Sequence, residues 1–184
     1  MRVVRAEWTK LRTTRGAAWL LLLAAAVTVA AGRLGLSGLY LGQVPVAVVA
    51  VLSVSGEYSN GLIRTTLMAV PNRTTLMAAK ALVLSAAVAS FSLLLAGPRA
   101  VVYLVLIAML SLGIAAVLRD SAVAIGAVLG LLYLPPILTT LVADAHLRRL
   151  VNQIAPMSAS LWVLAVWSLG AMLVGTLLLR VRDT

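Results

Sequence analysis

Few side chains in this 184-residue sequence could carry covalent or acid–base chemistry, and their placement speaks against that use. There is no cysteine, so disulfide frameworks, thiolate metal sites and cysteine nucleophiles are excluded. The sole histidine, His146, stands close to Arg148 and Arg149 and reads as an interfacial polar residue, because one imidazole does not make a metal site. Glu57, Asp120, Asp144 and Asp183 fall at the ends of apolar runs or between them. No run therefore holds the ionisable relay that an ion-coupled transporter needs. No carboxylate pair or HExxH motif supports an intramembrane enzyme. A GxxxxGK(S/T) loop is also missing, so the chain cannot cradle ATP by itself.

What dominates instead is apolar surface. Hydrophobic residues make up 62% of the chain and charged residues only 11%, with a mean hydropathy of +1.09. A soluble chain of this size needs a far more charged surface, so the surroundings of this one are hydrocarbon. A single domain over residues 1–184 is expected. The net charge of +10 would suggest a nucleic-acid partner in a soluble protein. Here Lys and Arg stand at the ends of apolar runs, where they set topology, so no nucleic acid is expected.

The runs cover about residues 16–34, 39–55, 75–96, 100–118, 121–142 and 161–179, close to the roughly 20 residues that cross a hydrocarbon core. A GLSG turn at residues 35–38 separates the first two, and Gly97-Pro98-Arg99 and Arg119-Asp120 close the third and fourth. Stretches such as Leu20-Leu21-Leu22-Leu23 do not alternate apolar with polar residues as barrel strands do, so the runs are helices. The expected class is an all-α integral membrane protein with about six transmembrane helices. With the N-terminus inside, the inner segments hold 11 of the 15 basic residues and the outer ones only Arg33, Arg99, Arg148 and Arg149. That bias predicts a multi-pass protein of the cell membrane with both termini cytoplasmic. A basic start followed by an apolar run and Val29-Ala30-Ala31 also suggests a signal peptide, but Trp8, Leu11 and the many threonines are untypical of one.

Three stretches have helical spacing outside these runs. Val4, Trp8 and Leu11 fall at i, i+4, i+7, with Arg2, Arg5, Glu7 and Arg12 mostly on other faces. Residues 1–15 are thus expected to form an amphipathic helix in the membrane interface, the plainer alternative being a frayed basic tail. Within residues 56–73, bounded by the Asn60-Gly61 turn and Pro71, Ile63, Leu67 and Val70 share a face beside Arg64 and Thr65. That face either binds a partner or rests on lipid headgroups. Between residues 143 and 160, Leu147, Leu150, Val151 and Ile154 recur at helical spacing before Pro156. Inside the fifth run, Gly126 and Gly130 form a GxxxG that permits close packing, either within the chain or along a seam with a second copy. Pro135-Pro136 should kink the same run.

Glu7-Trp8-Thr9-Lys10-Leu11-Arg12 before the first run resembles the opening of bacterial type-2 ABC transporter permeases. The likeness continues through Gly56-Glu57-Tyr58, Gly61-Leu62-Ile63-Arg64-Thr65-Thr66-Leu67, Val70-Pro71-Asn72-Arg73 and Ala79-Lys80. It follows the order of the runs over nearly the whole chain, with its specific motifs in the first 80 residues. The resemblance implies that residues 1–15, with Val4, Trp8, Lys10, Leu11 and Arg12, are an interfacial elbow helix. It implies that residues 56–73 are a cytoplasmic coupling segment contacting a separate ATPase subunit, and that residues 143–160 re-enter the outer leaflet. The connection between the first two runs is shorter than is common in that family.

The implied function is that of the permease subunit of an ATP-driven exporter, with ATP and Mg bound by a partner chain and no cofactor on this one. A second permease, identical or similar, would complete the pathway, with lipid around it. Glu57, Ile63, Arg64, Leu67 and Val70 are the expected coupling residues, and Glu57 is expected to pair with Lys10 or Arg12 of the elbow. With no buried charge anticipated in the spans, the cargo should be apolar or amphiphilic, and no substrate-binding residue is singled out. The competing reading is a non-transporting membrane scaffold or assembly factor.

Overall fold

Hydrocarbon offers backbone N–H and C=O groups no partner, so each apolar run must satisfy its own. Among the described residues, all seven regular elements are helices. The structure, a computed structural model, describes residues 6, 8–9, 15–33, 38–59, 73–95, 98–141, 144–156 and 160–181. In chain order the helices are α1 (Arg15–Arg33), α2 (Gly38–Ser59), α3 (Arg73–Leu95), α4 (Pro98–Leu118), α5 (Ser121–Leu141), α6 (Ala145–Ile154) and α7 (Leu161–Val181). Five of them, α2, α3, α4, α5 and α7, are long and apolar enough to cross a membrane. That is the pattern of a multi-pass membrane protein.

The long helices run up and down around α4, which packs against α2, α3, α5 and α7, while α1 lies along α2. Burial follows that order: 61% of the apolar window of α2 and 56% of that of α4 is enclosed by the chain, against 17% for α5 and for α7. The outer faces of α5 and α7 carry exposed Leu134, Ile137, Leu138, Val166, Leu169 and Leu173, side chains suited to lipid rather than water.

Lipid removes most of the hydrophobic drive between helices, so close packing has to supply the attraction. The tightest backbone approach among the described glycines joins α4 to α7 at Gly113 and Gly175. A Cβ built on Gly113 would lie 2.6 Å from the carbonyl carbon of Ala171, and one on Gly175 would lie 2.9 Å from the carbonyl oxygen of Gly113. By contrast, a Cβ on Gly126 meets nothing within 4 Å, and one on Gly130 meets only Leu134 of its own helix at 3.5 Å. The GxxxG of α5 therefore makes no close helix–helix contact within the described chain.

One boundary departs from the expected ones. α2 continues through Gly56, Glu57 and Tyr58 to Ser59, one turn beyond the expected end, so Glu57 belongs to a helix and not to the following segment. α5 stays helical through Pro135 and Pro136. Just beyond the prolines, Thr139 donates to the carbonyl of Pro136 at 2.7 Å and Thr140 to that of Ile137 at 2.7 Å.

Candidate functional site

We call the end of the bundle where α2 finishes and α3 begins the near end. The last two turns of α2 bring Ser53, Ser55, Glu57 and Tyr58 there, and the second turn of α3 brings Lys80. The Lys80 Nζ donates to Glu57 Oε1 at 2.8 Å and to the carbonyl oxygen of Ser53 at 3.0 Å. Their side chains are only 5% and 10% exposed, so both charges have left solvent. Such a pair contributes little net stability while intact, because attraction offsets desolvation. Removing one partner strands the other and typically costs about 3–5 kcal/mol. The pair thus pins α2 to α3 where the two helices lead into residues 60–72.

The turn between α4 and α5 closes on the same place. The Arg119 guanidinium sits 5.1 Å from the centroid of the Tyr58 ring, within cation–π range. Ser121 Oγ donates to Ser55 Oγ at 2.9 Å. The turn itself is tight: Arg119 takes a left-handed φ of 59° and its N–H donates to the carbonyl of Ala115 at 2.9 Å. Asp120 then caps α5, its Oδ1 accepting from the N–H of Val123 at 2.8 Å. The foot of α2 is held from two sides, by an ion pair to α3 and by neutral and cation–π contacts to the α4–α5 turn.

The far end carries a second buried polar group with no formal charge. Gln43 of α2 is fully buried, and its Oε1 accepts from the hydroxyl of Tyr103 on α4 at 2.5 Å. The rings of Tyr40 and Tyr103 meet edge to face at 6.3 Å and 80°. Tyr133 of α5 donates to the Tyr40 carbonyl. Nearby, Asp144 caps α6 by accepting from the N–H of His146 at 2.8 Å, and Trp167 of α7 donates its indole N–H to the Ile154 carbonyl at 3.0 Å.

Of the expected coupling residues, only Glu57 falls in the near-end cluster. Ile63, Arg64, Leu67 and Val70 lie outside the described residues, as do Val4, Lys10, Leu11 and Arg12. Trp8 is helical and 48% exposed. Glu57 pairs with Lys80, because the two legs around residues 60–72 bring side chains 23 positions apart into contact; the expected partners Lys10 and Arg12 lie outside the described residues. Sequence reasoning counted Lys80 as a topological charge and as part of the Ala79-Lys80 likeness, with no partner assigned to it. A lysine inside an apolar run was the signal that it is buried and paired.

Among the described residues no three His, Asp or Glu side chains gather as a metal site requires. Among the described residues, the near-end arrangement holds α2, α3 and the α4–α5 turn together. The chain matches no protein-family model, and no curated protein or solved structure is significantly similar to it.

Proposed function

We propose that this chain is the permease subunit of an ATP-driven exporter, with the near end facing the cytoplasm and receiving force from a separate ATPase. The observation that carries the reading is the clasp around the foot of α2. The buried Lys80–Glu57 pair, Arg119 over Tyr58 and the Ser121–Ser55 hydrogen bond stiffen the helices on either side of residues 60–72. A loose loop would absorb a push there, whereas a clasped one passes it to α2 and through α2 to the far end. The basic bias agrees, since Arg64, Arg73, Lys80 and Arg119 all belong to the near side. α1 supplies the sixth crossing; its 19 residues reach about 28 Å at 1.5 Å each. ATP and Mg belong to the partner, and a second permease copy completes the pathway.

Ile63, Leu67 and Val70 would pack into a cleft on the ATPase, with Arg64 at its rim. Truncating such an apolar anchor typically costs on the order of 1–3 kcal/mol, and Leu67→Asp costs more by burying an unpaired charge. Leu67→Asp and Arg64→Glu should leave membrane insertion intact while abolishing co-purification of the ATPase and export. If both variants assemble and transport at the wild-type rate, the coupling assignment fails and a non-transporting scaffold becomes the better account. Orientation has its own check. A cysteine at Ser59 should be shielded from an impermeant thiol reagent in intact cells, and one at Ser158 should react. The expected absence of buried charge fails at the near end, where Lys80 and Glu57 pair within spanning helices. The amphiphilic cargo is therefore proposed on the neutral Gln43–Tyr103–Tyr40 group of the far end alone. Amphiphiles rather than inorganic ions should stimulate ATP turnover in proteoliposomes.

A further inference from the structure

Helix α6 is short, exposed and strongly two-sided. At 100° per residue, Leu147, Leu150 and Ile154 line one face, Arg148 and Arg149 stand on either side of the polar face, each about 130° from the middle of the stripe, and His146 flanks the boundary. Leu147 is 50% exposed, Leu150 40% and Ile154 58%, so that face is not turned into the bundle. It lies next in the chain to surface already read as lipid-facing: Leu141 before it is 76% exposed and Trp162 after it 82%. What covers the stripe is therefore acyl chain. The helix is also fixed at both ends, by the Asp144 cap and by the Trp167 indole on the Ile154 carbonyl. A fixed amphipathic helix with its apolar face in lipid holds its flanking cations at headgroup depth.

We propose that α6 is a docking site for an anionic lipid, with Arg148 and Arg149 on the headgroup phosphate and the Leu147–Leu150–Ile154 stripe along the acyl chain. The site stands independently of the permease reading, since it needs only the bilayer. An anionic headgroup is favoured over a zwitterionic one by charge, by roughly fivefold per arginine.

The test uses the full chain reconstituted in vesicles, with Trp8, Trp19 and Trp162 changed to Phe so that Trp167 alone fluoresces. Its quenching by brominated phosphatidylglycerol is compared with that by brominated phosphatidylcholine at equal mole fraction. The anionic lipid should quench several-fold more effectively, and the preference should collapse in 1 M salt. It should vanish in Arg148→Gln/Arg149→Gln and survive in Arg148→Lys/Arg149→Lys, with quenching by phosphatidylcholine unchanged in both. Excess inorganic phosphate should not compete, which separates a lipid from a free anion. Equal quenching by the two lipids in the Trp167-only protein, or a preference that persists in the Gln variant or in 1 M salt, overturns the proposal.

Discussion

Both ends of α2 bury polar groups, but they do so in different currencies. At the near end the contact is ionic, Lys80 on Glu57, with a second hydrogen bond to the Ser53 carbonyl. At the far end it is neutral, a tyrosine hydroxyl on the amide oxygen of Gln43 beside an edge-to-face tyrosine pair. A desolvated ion pair is intolerant: it is nearly free when whole and expensive when halved. A neutral hydrogen bond in a bilayer is worth about 1–2 kcal/mol at most, and breaking it strands no charge. The difference teaches that α2 is anchored firmly at its foot and lightly at its head. Under the proposed permease function, one helix would stay clasped where the ATPase pushes and let go where the cargo leaves.

Breaking the ionic clasp should have the largest effect. Glu57→Ala leaves Lys80 buried without its carboxylate and should cost about 3–5 kcal/mol, read as a lower unfolding temperature in detergent. The paired neutral variant Glu57→Gln/Lys80→Met should recover most of that stability. A cost below about 1 kcal/mol for Glu57→Ala would show that the pair is not desolvated and would erase the contrast. At the far end, Tyr103→Phe strands the Gln43 oxygen and should cost about 1–2 kcal/mol by the same assay. Asp120→Ala removes the α5 cap at the near-end turn and should cost about 1 kcal/mol, with export reduced no further than the loss of folded protein explains. The smallest change in stability belongs to Arg119→Gly. It gives up a cation–π contact of about 0.5–1 kcal/mol and relieves a left-handed backbone strain of about 1 kcal/mol. The unfolding temperature should hardly move, while ATPase-coupled export falls because Tyr58 has lost its brace. Unchanged export in that variant would confine the clasp to Lys80 and Glu57.

Apolar run length alone anticipated α3, α4, α5 and α7 to within a few residues, because hydrocarbon thickness dictates helix length and charges mark where it ends. The same rule misplaced the end of α2. Hydropathy scores Glu57 as a residue that has left the membrane, whereas pairing with Lys80 lets it remain in the helix. Nor could residue spacing locate the tight helix contact. GxxxG pointed to Gly126 and Gly130 on α5, where there is open space, while the close approach pairs Gly113 on α4 with Gly175 on α7. On α7 the contact does carry a small-xxx-small pair, Ala171 and Gly175, but spacing alone could not tell which helix it faces. The near-end cluster was half legible. Glu57 could be singled out by type and position, but Ser55, Tyr58, Lys80, Arg119 and Ser121 meet only after the turns have brought three segments together.

The Gly113–Gly175 contact also bears on how the chain is made. Ribosomes release α4 long before α7, so the glycine face of α4 enters the bilayer with no helix against it and spends that interval covered by lipid tails. Only when α7 has been synthesised and inserted can its small residues displace those tails and close the core around α4.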